Sequence, residues 1–131
     1  MLPILTKGEV IINKVFLIDD SYFIRKWIKS ILHKSKRYEV VAEGSDGADA
    51  LNLYLIHQPD IVIMDIVMKQ LNGIDALKNI IDNNPEAKVI MCTSMGQEHL
   101  WREAKNSGAK GYILKPNFNT LITNLDDILN K

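Results

Sequence analysis

Apolar residues along this chain fall into two kinds of segment that take turns. The first kind is a short unbroken run. Ile61–Asp65 reads Ile-Val-Ile-Met-Asp, and Lys14–Ile18 reads Lys-Val-Phe-Leu-Ile with Asp19 and Asp20 directly after it. Such runs are too short for a globular helix, and an apolar run without alternation marks a strand covered on both faces, as in a parallel sheet. Tyr38–Glu43 with Val40 and Val41, Lys88–Cys92 and Gly111–Leu114 complete a set of five predicted strands.

The second kind repeats at helical spacing. Ser21–Ser35 places Ile24, Trp27, Ile28, Ile31 and Leu32 on one stripe, so Trp27 reads as core. After a turn at Gly44–Gly47, which Ser45 or Asp46 can cap, a helix runs to about His57 with Ala50, Leu51, Tyr54 and Leu55 inward. Ile74, Leu77, Ile80 and Ile81 mark a third helix that ends before Asn84-Pro85. Glu98–Ser107 has a poor stripe, mainly Leu100, Trp101 and Ala104, with Gly108 as its C-terminal stop; Trp101 too reads first as core filling. About Asn119–Asn130, with Leu121, Ile122, Leu125, Ile128 and Leu129, is the last. Five strands alternating with five helices imply an α/β fold: a parallel sheet, helices on both faces, right-handed crossovers.

Composition narrows the function classes. A chain of 131 residues reads as one domain with a real core. The 16 basic and 16 acidic residues cancel, which gives no electrostatic support for nucleic-acid binding. One cysteine allows neither an internal disulfide framework nor a cysteine-based zinc site. There is no membrane-length apolar run and no signal-peptide core in Met1–Val10, so a cytoplasmic protein is expected. Residues 1–13 read as an N-terminal extension and 14–131 as the domain.

The chemistry gathers at the strand ends. In open α/β sheets ligands bind beyond the carboxyl ends of the strands. There this chain carries Asp19-Asp20, Asp65, Thr93-Ser94 and Lys115. Taken alone, Asp19-Asp20 is explained as well by capping of the following helix, through Asp20 or Ser21, as by metal binding. Together the set suits phosphoryl transfer. Crowded acids hold a hard cation such as Mg2+, Lys115 neutralises charge on the moving group, Thr93 hydrogen-bonds one of its oxygens, and Asp65 is the natural nucleophile for an acyl phosphate. Neither GxxxxGK[ST] nor GxGxxG is present, so a nucleotide is not the expected direct donor. His33, His57 and His99 lie in or beside helices and read as surface residues.

Over about Lys14 to Leu129 the sequence resembles the receiver domain of two-component response regulators. The marks are Leu-Ile-Asp-Asp (17–20), Ile-Val-Ile-Met-Asp (61–65), Asn-Gly (72–73), Cys-Thr-Ser (92–94) and Gly-Tyr-Ile-Leu-Lys-Pro (111–116), in this order. The resemblance implies a flavodoxin-like (βα)5 fold with sheet order 2-1-3-4-5 and phosphotransfer from a histidine kinase to Asp65. It implies that Asp20, Asp65 and the Val67 backbone carbonyl ligate Mg2+, with Asp19 acting through water. Thr93 and Lys115 would contact the phosphoryl group, Thr93 and Tyr112 would form the switch, and Lys115-Pro116 would be cis. Met64–Met68, Asn72–Leu77 and Cys92–Gln97 look most like chemotaxis-type regulators, which would imply a flagellar-motor partner.

Two departures stand out. The family commonly has proline four residues after the acceptor, where this chain has Lys69. Val67 and Met95, which match the positions flanking the attacking water, are both apolar, so slow hydrolysis of the phosphorylated form is expected. The expected protein is a monomeric stand-alone receiver, not an enzyme in the turnover sense. It would receive its phosphoryl group from a kinase, signal to a downstream protein, and touch neither nucleic acid nor membrane directly. The rivals are the receiver of a longer DNA-binding regulator, a phosphorelay intermediate, and a Mg2+-dependent aspartyl phosphatase. The last typically wants a second aspartate at position 67.

Overall fold

The computed structural model describes residues 11–94 and 96–130. Its elements are β1 (Asn13–Ile18), α1 (Tyr22–Ser35), β2 (Tyr38–Gly44), a 3-10 turn (Gly47–Asp49), α2 (Ala50–His57), β3 (Ile61–Met64), α3 (Gly73–Asn83), β4 (Val89–Thr93), α4 (Glu98–Asn106), β5 (Gly111–Leu114) and α5 (Leu121–Leu129). All strands are parallel, in the order β2-β1-β3-β4-β5. This is the flavodoxin-like arrangement expected from the sequence. The order reverses between β1 and β3, and the ends of these two strands carry the acids.

Alternation along the strands divides the core in two. Phe16, Ile18, Val62, Met64, Val89 and Met91 pack under α2, α3 and α4. Val15, Leu17, Ile61, Ile63, Ile90 and Cys92 pack under α1 and α5. Every residue of β3 and β4 is buried, which is why these strands read as unbroken apolar runs. β2, at the edge, does not follow this rule. Its pairing with β1 slips by one residue between Val15 and Phe16, leaving Val41 unpaired, and both Val40 and Val41 stay half-buried. The β2 end is tied to the last helix: Tyr38 donates its hydroxyl proton to Asp126 of α5 at 2.5 Å, and Arg37 pairs with the same carboxylate at 2.7 Å.

Two inward assignments need correction. Trp27 is 40% exposed. Ile28 and Leu32, one turn apart, take the centre of the α1 stripe, and Trp27 lies on its flank with its ring edge-on to Phe118 at 4.9 Å. In α2, Ala50 and Tyr54 are the buried pair, while Leu55, one residue on, is turned outward and 45% exposed. Trp101, in contrast, is half-buried against the core, 5.0 Å from the Tyr112 ring. The weak stripe of α4 is real, since Ala104 is its one fully buried residue. Gly108, just after α4, takes φ +108° and lets the chain turn back into β5. His33 and His99 are exposed and His57 half-buried. No described helix is long and apolar enough to cross a membrane.

Gly73 sets how closely α3 approaches the end of β3. A Cβ there would lie 1.8 Å from the Asp65 carbonyl oxygen, and the Gly73 N–H donates to the Ile66 carbonyl at 2.6 Å. Backbone touches backbone, so no side chain can yield. Gly73→Ala should cost about 3 kcal/mol or more in urea unfolding, above the usual range for an overpacked site. A loss under about 1 kcal/mol would show that the approach is not tight.

Candidate functional site

The acids reach the sheet edge because β1 and β3 are neighbours in register, Ile18 opposite Met64. Asp65 follows Met64 and continues the ladder, its N–H donating to the Ile18 carbonyl at 3.0 Å. Asp19 is held likewise by a bond from its N–H to the Gly44 carbonyl of β2 at 3.0 Å. One carboxylate oxygen of each of Asp19, Asp20 and Asp65 lies within 4.8 Å of the others. Asp19 and Asp65 are buried, and Asp20 faces solvent.

The burial of Asp19 is compensated on both of its oxygens. Oδ1 accepts the Ser21 N–H at 2.8 Å, and Oδ2 pairs with the Lys115 ammonium at 2.5 Å. Ser21, not Asp20, caps α1, its Oγ accepting the Ile24 N–H at 3.2 Å. That leaves the Asp20 carboxylate unused as a cap. Arg25, from the second turn of α1, donates to the Asp19 carbonyl and pairs with Glu43 at 3.2 Å.

Asp65 is less well compensated. The Lys115 ammonium lies 3.3 Å from its Oδ2, and the Val67 N–H donates to Oδ1 at a long 3.4 Å. Burial pushes its carboxyl up to about 6; Lys115 opposes this, and the Asp19 charge adds to it. Burial alone would lower the Lys115 ammonium, but its bond to Asp19 and the Asp65 charge outweigh that and raise it. Lys115 therefore stays charged. One ammonium against three carboxylates leaves the cluster two charges short of neutrality. All its donors are hard oxygens, and Asp20 offers an open face. That set fits a hard dication of the Mg2+ kind.

The rest of the expected site falls into place unevenly. Thr93 is fully buried at the end of β4, its carbonyl accepting the Lys115 N–H at 2.8 Å. Tyr112, half-buried on β5, packs against Trp101. The Lys115-Pro116 bond is cis. Val67 is 51% exposed beside Asp65. Met95, its counterpart in the sequence reading, lies outside the described residues, as do residues 1–10 of the N-terminal extension. Two supporting residues were not legible as such. Arg25 reads only as one charge on the polar face of α1. Asp46 reads as a cap, which it is for the 3-10 turn, but it also reaches the β3–α3 loop.

The chain is similar to known proteins in both sequence and fold. The response regulator receiver domain model matches residues 15–126. The chain is 45% identical over 104 residues to the chemotaxis protein CheY of Thermotoga maritima, covering 79% of this chain and 86% of that one. It is 44% identical to CheY of Bacillus subtilis with the same coverage. Among solved structures it resembles the crystal structure of the CheX–CheY–BeF3–Mg2+ complex from Borrelia burgdorferi, with a TM-score of 0.87, 31% identity and 92% of each chain covered.

The raised Asp65 carboxyl makes a prediction about stability. Folded, it takes up its proton near pH 6; unfolded, near pH 4. Its ionisation therefore disfavours the folded state by about 2–3 kcal/mol above pH 6, an effect that fades as pH falls toward 4. Without metal at pH 7.5, Asp65→Asn should melt several degrees above the unmodified protein, and the gap should close by pH 4.5. A variant that melts lower at pH 7.5 would show that the Lys115 contact outweighs burial.

Proposed function

The chain belongs to the response regulator receiver domain family, and from that footing we propose that it is a phosphorylation-dependent switch whose acceptor is Asp65. The observation that carries this reading is the meeting of three carboxylates, within 4.8 Å, with the Lys115 ammonium at one sheet edge. The donor is a phosphohistidine on a kinase. An oxygen of the ionised Asp65 attacks phosphorus, the P–N bond breaks with its electron pair returning to the imidazole, and Asp65 becomes an acyl phosphate. Asp20, Asp65 and the Val67 carbonyl would hold Mg2+, with Asp19 supporting the site. Bound there, Mg2+ supplies positive charge against the phosphoryl oxygens.

The chain's own residues do the rest. Lys115 keeps its charge at the acceptor and follows the phosphoryl oxygens. Thr93 offers them its hydroxyl. Val67 stands where a general acid would have to sit in an aspartyl phosphatase and has no proton to give, which disfavours that reading. The output runs through α4, β5 and α5. A shift of Thr93 toward the phosphoryl group changes the space beside β5. Tyr112 then repacks against Trp101, on a helix that buries only Ala104 fully and so moves at low cost. A downstream protein reads that surface. The chemotaxis role of the named relatives makes a flagellar-motor component the favoured partner, with a monomer acting in the cytoplasm.

Acetyl phosphate with Mg2+ should add one phosphoryl group to the protein and change amide exchange over residues 93–116. Asp65→Asn should take up none, Asp20→Ala should lose the metal dependence, and Asp19→Ala should weaken it less. Labelling of Asp65→Asn at the unmodified rate would overturn the assignment.

The exposed Val67 offers no hydrogen bond to orient a water in line with phosphorus. The phosphorylated protein should therefore be long-lived, and Val67→Asn should lose its phosphoryl group several-fold faster in a time course of mass spectra. Equal lifetimes would show that the position does not control hydrolysis.

A further inference from the structure

The loop from Asp65 to Asn72 carries the acceptor at one end and the cap of α3 at the other, Asn72 Oδ1 accepting the Asp75 N–H at 3.0 Å. Its near end is fixed by the Gly73 contact with the Asp65 carbonyl. Its far half, where Lys69 and Gln70 are exposed, is held by a side chain from the β2–α2 connection. Asp46 Oδ2 accepts the Gln70 N–H at 2.7 Å, and its Oδ1 accepts the Leu71 N–H at 3.2 Å and the Ala48 N–H at 2.9 Å. These donors, the Ala48 N–H foremost, hold the Asp46 carboxyl below its usual range. Two consecutive loop amides thus converge on one carboxylate.

A glycine makes the grip possible. A Cβ on Gly47 would lie 2.3 Å from the Leu71 carbonyl oxygen, so only glycine lets the β2–α2 connection come this close to the loop.

We propose that Asp46 is a positioning residue for the metal and phosphoryl site: by gripping the amides of Gln70 and Leu71 it fixes the path of the β3–α3 loop, and with it the backbone of Val67 next to the acceptor. The inference rests on the reading of Asp65 and Mg2+ given above. It differs from a simple capping role, in which Asp46 would stabilise the 3-10 turn and leave the acceptor untouched.

The test is Mg2+ titration by calorimetry on the full chain, with amide exchange and melting measured alongside. Asp46→Ala should weaken Mg2+ binding about tenfold, as loss of a residue behind the ligands commonly does. It should raise exchange across residues 66–71 while β1 and β5 keep theirs. In acetyl phosphate labelling it should raise the Mg2+ concentration for half-maximal rate more than it lowers the rate at saturation. Asp46→Asn, which retains one carbonyl oxygen, should fall between, and it decides the matter if the alanine variant does not fold. A lower melting temperature with unchanged Mg2+ affinity in either folded variant would reduce Asp46 to a cap and overturn the proposal. If the unmodified protein binds no Mg2+, or Asp20→Ala binds it undiminished, the metal reading itself fails.

Discussion

Like charges repel most where water cannot screen them, and this fold brings three carboxylates together at the rim of an apolar sheet. Most of the local structure there answers that cost. Lys115 is delivered by β5 to sit between Asp19 and Asp65, and its backbone is bonded to Thr93. The first turn of α1 lends the Ser21 N–H to Asp19. The compensation stays incomplete at Asp65, whose carboxyl is pushed up to about 6. A fully satisfied carboxylate would be a poor nucleophile, so this incomplete compensation suits the acceptor role proposed for Asp65.

The two faces of the sheet are built for different tasks. On one, Ile28, Leu32, Leu121 and Leu125 seat α1 and α5 firmly. On the other, α2 and α3 contribute buried pairs and a buried series, whereas α4 is held through Ala104 with half-buried Leu100 and Trp101. Rigidity is thus concentrated under the acids and relaxed at the helix nearest Tyr112. The proposed switch would use both: a fixed charge centre and one element with little to lose by moving.

How far the sequence could be read follows from the range of the forces involved. The continuous apolar runs of β3 and β4 gave the buried strands, because burial on both faces leaves no room for polar alternation. The acids were legible because they directly follow such runs. Trp27 and Leu55 were misplaced because helical spacing defines a stripe but not its centre. Which residue of a stripe meets the sheet depends on the packing of the neighbours, here Ile28 with Leu32 and Ala50 with Tyr54. Asp46 was read only as a cap because its second set of partners lies more than twenty residues away, and those partners are backbone amides that leave no mark on side-chain pattern.

The tie between Tyr38 and Asp126 joins residues 88 positions apart in the chain. It has a consequence for the order in which the fold can close. Without α5 docked, the face of the sheet formed by Val15, Leu17, Ile61, Ile63 and Ile90 lacks one of its two covering helices, and the Tyr38 hydroxyl has not met its acceptor. One helix thus both seals that half of the core and locks the edge strand, so neither can be completed without the other.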